Sequence, residues 1–172
     1  MLFRLLALVA IVLAISLTST RAESVATNAA GEYAKHLAAL KKLSLAVAEA
    51  MPAEQYSYRP HPDSMNFGAL MSHIAQTNYQ FCAGLKDSSP PAPLTPGDKQ
   101  AVVALLGDSF SYCSEVISQL GEQQLNSMHD SPDGRLSGRE SLLAMYIHVA
   151  HHRGQAEIYL RNQGIRPPAY II

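Results

Sequence analysis

The stretch SGRESLLAMYIHVAHHRGQAEIYLRNQG, residues 137–164, carries every mark of a long amphipathic helix. Ser137 and Glu140 stand at the two ends of a capping box, in which each side chain satisfies a backbone N–H of the first turn. Leu142, Met145, Val149, Ala156 and Tyr159 then recur at helical spacing and form one apolar stripe. The helix is predicted to reach Gln163, because Gly164 supplies a left-handed terminator and Pro167 and Pro168 prevent resumption. On a wheel of about 100° per residue, His152 falls inside the stripe, His148 falls at its edge one turn earlier, and His151 turns outward. His148 and His152 are thus an i, i+4 pair, the spacing at which two imidazoles of one helix share a metal ion. That pattern is loose, and a hydrogen-bonded structural histidine stays an open alternative.

Three more helices are expected upstream, and nothing reads as a strand. The first spans about Asn28 to Met51, with Tyr33, Leu37, Leu40, Leu43 and Val47 at steps of three and four. The second runs from an Asn66 cap to Leu85, with Phe67, Leu70, Ile74, Thr77 and Phe81 inward. The third opens at Thr95, with Pro96 in the first helical position and Asp98 completing a cap. It carries Val103, Leu106, Phe110, Cys113, Ile117 and Leu120 and ends near Gly121, or runs on to Gln124. Four helices of about 20 residues make an all-α four-helix bundle the expected architecture. His73 sits at the edge of the second helix's stripe, so two helices offer three inward imidazoles. Three protein ligands with one vacant position is the pattern of a catalytic metal site.

Composition narrows the function. The 172 residues carry 13 basic and 14 acidic side chains, a net charge of −1, with 16% charged and 48% hydrophobic residues. No Lys or Arg run supplies the basic footprint of a nucleic-acid binder. The apolar content is too high for a disordered chain. Residues 1–22 read as a cleaved signal peptide: Arg4, an apolar run from Leu5 to Leu17, and small residues before a cut after Ala22. The run is shorter than the roughly 20 residues that span a bilayer, so no stable membrane anchor is expected after cleavage. The mature chain, residues 23–172, is then one exported domain, periplasmic or extracellular, in which a disulfide can persist.

Several residues together resemble a known family. His148-Val149-Ala150-His151-His152-Arg153-Gly154-Gln155, followed by Tyr159-Leu160-Arg161 and Gly164, is similar to the C-terminal signature of the DinB/YfiT-like family. Phe67 to Ala75 and the Tyr58-Arg59-Pro60 segment are similar as well, and the likeness extends from about residue 28 to 168. The resemblance implies an up-down-down-up bundle and a divalent metal, zinc or nickel, held by His73, His148 and His152. It implies a metal-dependent hydrolase or transferase acting on a small molecule. A non-catalytic module of the same fold and a metal-free bundle, with a homodimer among the options, are the alternatives. Some relatives are cytoplasmic transferases that use small thiols, and an exported chain departs from that setting.

The implied chain path bears on the two cysteines. In an ordinary antiparallel hairpin, Cys113 would lie about 20 Å further along the bundle than Cys82, whereas a disulfide needs Cα atoms within about 7 Å. Parallel second and third helices would bring both to one end, with the Pro-rich loop from Lys86 to Leu94 climbing back. A Cys82–Cys113 bridge and the implied path therefore support each other; two buried free thiols are the alternative. Gln155 is expected either to orient a ligand or to face a neighbouring helix. Gly154 is expected to allow close helix packing, and Arg153 to lie on the surface. Glu157 is a weak candidate base, and Tyr79 and Tyr146 are candidates for the mouth of a site.

Overall fold

The computed structural model describes residues 29–92 and 97–170. The expected signal peptide and the Thr95–Pro96 start of the third helix lie outside the described residues. The elements are α1 (29–50), a 3-10 turn (Ala53–Gln55), α2 (Phe67–Gly84), α3 (Lys99–Ser118), a short α4 (Glu122–Asn126), β1 (Met128–Ser131), β2 (Gly134–Ser137) and α5 (Gly138–Asn162).

Side-chain pairings give the directions. Asn78 donates to Ser109 across 3.2 Å, and Cys82 is bonded to Cys113 with Cα atoms 5.4 Å apart, so a step of four along α2 matches a step of four along α3. These two helices are parallel. Lys41 Nζ donates to Ser111 Oγ and Lys99 Nζ donates to the Glu49 carbonyl, so α1 runs against α3. Phe67 packs on Tyr159 and the Cys82 sulfur lies 3.5 Å from that of Met145, so α5 runs against α2. The path is up-down-down-up, and the expected disulfide is present.

The expected stripes are the core. Leu37, Leu43 and Val47 of α1, Phe67, Leu70, Ile74 and Phe81 of α2, Leu106, Phe110 and Ile117 of α3, and Leu142, Met145 and Val149 of α5 are all buried. Removing such side chains from water is the main stabilising term. The segment between α1 and α2 is pinned by Tyr56, whose hydroxyl donates to the Ala48 carbonyl at 2.7 Å and whose ring meets Phe67 edge-on. Tyr159 of α5 donates to the Met65 carbonyl, which ties the same segment to the last helix.

Three expectations are corrected. The third helix starts at Lys99, because Asp98 itself is the cap and accepts from the Ala101 N–H. It stops at Ser118, and Gly121 caps the separate α4 rather than ending α3. A two-stranded hairpin precedes α5, pairing Met128 with Ser137 and Ser131 with Gly134. Its strands contain no β-branched residue, so propensity gave no signal. The turn Pro132–Asp133 before Gly134 (φ 99°) was the legible part.

The hairpin is held against the bundle at two points. His129, 3% exposed, places Nδ1 3.2 Å from Asp87 and Nε2 2.8 Å from the Gln124 carbonyl. At Gly84 the α2 backbone passes so close to β1 that a Cβ would overlap the Asp130 carbonyl oxygen. Gly84→Ala is therefore expected to destabilise the fold by about 1–3 kcal/mol, since backbone must shift to admit the methyl group. Urea unfolding checks this; a change under about 0.5 kcal/mol would show that the hairpin yields freely.

Candidate metal centre

His73 lies in the second turn of α2, on the face that α5 covers. Because α5 runs in the opposite direction, its middle turns pass this point, and His148 and His152 arrive from one side of it. Each of the three offers a ring nitrogen, and these nitrogens all lie within 4.8 Å of one another. His148 Nε2 is 3.0 Å from His73 Nε2. The ring centroids are 4.8, 4.7 and 4.4 Å apart, and every pair is edge-on rather than stacked. All three side chains are half-buried.

A second layer sets the tautomer of one of them. His152 Nδ1 is 2.8 Å from Gln155 Oε1. An amide oxygen only accepts, so the hydrogen sits on Nδ1 and the lone pair of Nε2 is left for the centre. The Gln155 amide nitrogen, in turn, is 3.0 Å from His151 Nε2 and donates to it. Gln155 thus holds both His152 and His151 of its own helix by hydrogen bonds. His151 faces outward as expected and forms the far end of this chain.

Electrostatics keep the inner pair neutral. Burial, reinforced by the neighbouring His152, holds His73 below the ordinary histidine range. Burial, followed by His152, His73 and His151, pushes His148 down to about 4. Both rings are therefore unprotonated at neutral pH and offer lone pairs, as a metal ligand must. The sign for stability follows: from about pH 6.5 down to about 4 the unfolded chain takes up a proton at His148 that the folded chain refuses. The metal-free protein should keep its full stability above pH 6.5 and lose it progressively towards pH 4. Melting temperatures at pH 7.5 and 5.0 test this. The wild type should fall further than His148→Phe, and equal falls would contradict the assignment.

The donor set suits a divalent transition metal, being three imidazoles from two rigid helices with no carboxylate in the cluster among the described residues. Comparison with known proteins agrees with the architecture that builds it. The model of the DinB superfamily matches residues 27–156. The chain belongs to the DinB superfamily. It is 26% identical over 139 residues to the uncharacterized YjoA protein of Bacillus subtilis strain 168, covering 77% of this chain and 90% of that one. The crystal structure of that DinB-like protein superposes with a TM-score of 0.70 at 25% identity, covering 81% of this chain and 97% of the other. A DinB-like protein from Bacillus cereus ATCC 10987 gives a TM-score of 0.71 at 16% identity, over 80% and 94% of the two chains, which is a likeness of fold.

The remaining candidates in this DinB chain fall elsewhere. Glu157 is tied to Arg153 and, at 3.6 Å, to Arg161, so its carboxylate is committed to ion pairs. Arg153, expected on the surface, has a side chain only 12% exposed and a guanidinium lying against the Tyr170 ring. Tyr146 donates to the Tyr33 carbonyl of α1, and Tyr79 packs on Tyr112 of α3; neither touches the imidazoles. Gly154 has no close neighbour: a Cβ there meets nothing within 4 Å among the described residues. Beside His73 lies a cleft of about 390 Å³, lined by Tyr56, Asn66, Ser72, Gln76 and Asp98. Sequence reasoning had not found this cleft, because its walls are the first turns of α2 and α3, which only parallel packing brings side by side.

Proposed function

We propose that this protein is an exported metal-dependent hydrolase or transferase acting on a small molecule, with His73, His148 and His152 holding one zinc or nickel ion. The observation that carries the reading is the convergence of three imidazole nitrogens within 4.8 Å of one another, with one of the three residues, His73, also lining a cleft. A bound ion would supply a Lewis acid and lower the pKa of a water molecule. The chain's own part is positioning. Gln155 keeps the His152 hydrogen on Nδ1, burial keeps His73 and His148 neutral, and the cleft beside His73 gives room for a small molecule. Export is supported by the leader-like residues 1–22 and by the Cys82–Cys113 bridge, a bond that persists in oxidising compartments.

A second reading, a non-catalytic metal- or ligand-binding module, is favoured by one observation. Among the described residues no carboxylate joins the three imidazoles, and Glu157 is held away in ion pairs. Metal content measured by mass spectrometry tests both readings, with the His148→Ala/His152→Ala double variant as reference. About one equivalent of metal in the wild type, lost in the variant, supports a metal centre. Absence of binding even after zinc or nickel is added sinks both. Turnover by the loaded protein in a panel of ester, amide and thiol-transfer substrates then separates enzyme from module.

A further inference from the structure

His151 stands outside the three-imidazole centre, on the exposed side of α5, yet two hydrogen bonds in series join it to that centre. Its Nε2 lies 3.0 Å from the Gln155 amide nitrogen, and the Gln155 oxygen lies 2.8 Å from His152 Nδ1. The spacings are i, i+4 and i, i+3, the two at which side chains of one helix meet. The His151 ring also stands edge-on to that of His152, with centroids 4.9 Å apart. His148 has no comparable support: its Nδ1 is buried without a hydrogen-bond partner among the described residues.

An amide has a donor end and an acceptor end, so this chain of hydrogen bonds has a direction. With the oxygen towards His152, that ring carries its hydrogen on Nδ1 and keeps the Nε2 lone pair for the centre. A half-turn of the amide exchanges its ends. The nitrogen then donates to His152 Nδ1, the hydrogen of the neutral ring sits on Nε2, and the lone pair that faced the centre is gone. Gln155 by itself fits either arrangement. The group at position 151 separates them: an acceptor there draws the amide nitrogen outward, and a donor draws the oxygen outward.

We infer that His151 is a positioning residue for the metal centre: by accepting from Gln155 at Nε2, it selects the His152 tautomer that can bind a metal. The consequence for metal rests on the function proposed above, whereas the tautomer is a property of the metal-free chain. An exposed side chain that touches no metal thus decides whether His152 is available as a ligand.

Nitrogen-15 spectra of the metal-free protein at mildly alkaline pH read the tautomer, because a ring nitrogen that bears hydrogen resonates far from one that does not. His152→Gln assigns the signals. The His152 hydrogen should sit on Nδ1 in the wild type and in His151→Glu, whose side chain only accepts, and on Nε2 in His151→Lys, whose side chain only donates. In zinc titrations His151→Lys should bind about 100 times more weakly than the wild type, the far end of what loss of a ligand's partner costs. It should also bind more weakly than Gln155→Ala, in which the amide is absent rather than reversed. Adding Gln155→Glu to His151→Lys should restore the affinity, since a carboxylate accepts from both neighbours and the two substitutions together leave the net charge unchanged. Ile147→Lys, at a position 61% exposed and eight residues from Gln155, adds the same charge out of reach of the amide and should bind zinc nearly as well as the wild type. Circular dichroism checks that each variant keeps its helices. A His152 hydrogen on Nε2 in the wild type, or on Nδ1 in His151→Lys, overturns the proposal. So does an equal loss of zinc affinity in His151→Lys and Ile147→Lys, or a loss that Gln155→Glu does not repair. A wild type that binds no zinc ends the metal-binding function alone, and the spectra still decide whether His151 sets His152.

Discussion

Replacing Cys82 and Cys113 together by alanine should lower the unfolding free energy by about 4 kcal/mol, the loop-closure term for a bridge of this span. The two residues are 31 apart in sequence, and the bond joins two parallel helices that no short loop could hold together. Once the bond is gone, the unfolded chain regains the freedom of the whole connection between α2 and α3. The sulfurs are also buried, against Met145 and the Asn78 carbonyl, so the alanines leave a void that adds to the loss. In thermal melts the shift should be about 10–15 °C downward. Urea unfolding of the oxidised wild type, the reduced wild type and the double variant would measure it. A loss below about 1 kcal/mol in the variant would mean that packing of Phe81, Phe110 and Ile117 alone fixes the parallel pair.

Zinc should raise the stability of the wild type and leave His148→Ala unmoved. A ligand that binds only the folded state stabilises it by about 2.7 kcal/mol when present at a hundredfold excess over its dissociation constant. His148 faces His73 across 3.0 Å and shares its helix with His152, so its loss removes the middle of the ligand set. The variant has its own packing defect, and the quantity to compare is therefore the zinc-dependent shift in each protein, not the melting temperature itself. His152→Ala should behave in the same way. Gln155→Ala should keep a shift but need about 10–100 times more zinc, the usual effect of losing the partner that orients a ligand. His36→Ala, on the exposed side of α1, is the control. Equal zinc shifts in wild type and His148→Ala would remove the proposed centre.

Most of the bundle was legible because its signals are local. The Ser137–Glu140 box, the Asn66 cap and the Gly164 terminator each act within a turn, and the stripes repeat every three or four residues. The pairing of His148 with His152 is local in the same way. That His73 meets them depends on the register between α2 and α5, which no spacing within either helix encodes; the family resemblance supplied it. The hairpin escaped notice because its eight strand residues include no Val, Ile or Thr and rest on one turn and one buried histidine. Arg153 was misplaced because the C-terminal segment returns over α5 and brings Tyr170 across it. Gly154 was read as a point of close helix packing, yet a Cβ there meets nothing within 4 Å among the described residues.

His73 and His148 are separated by 75 positions in the chain. The cluster therefore does not exist until α5, the last helix made, has docked against α2. Metal capture would then wait on that docking, which also completes the core through Leu142, Met145 and Val149. Interactions absent from the transition state change the rate of unfolding and leave the rate of folding alone. An ion held here would act as a latch on the finished molecule, lengthening its life once folded without hastening its birth.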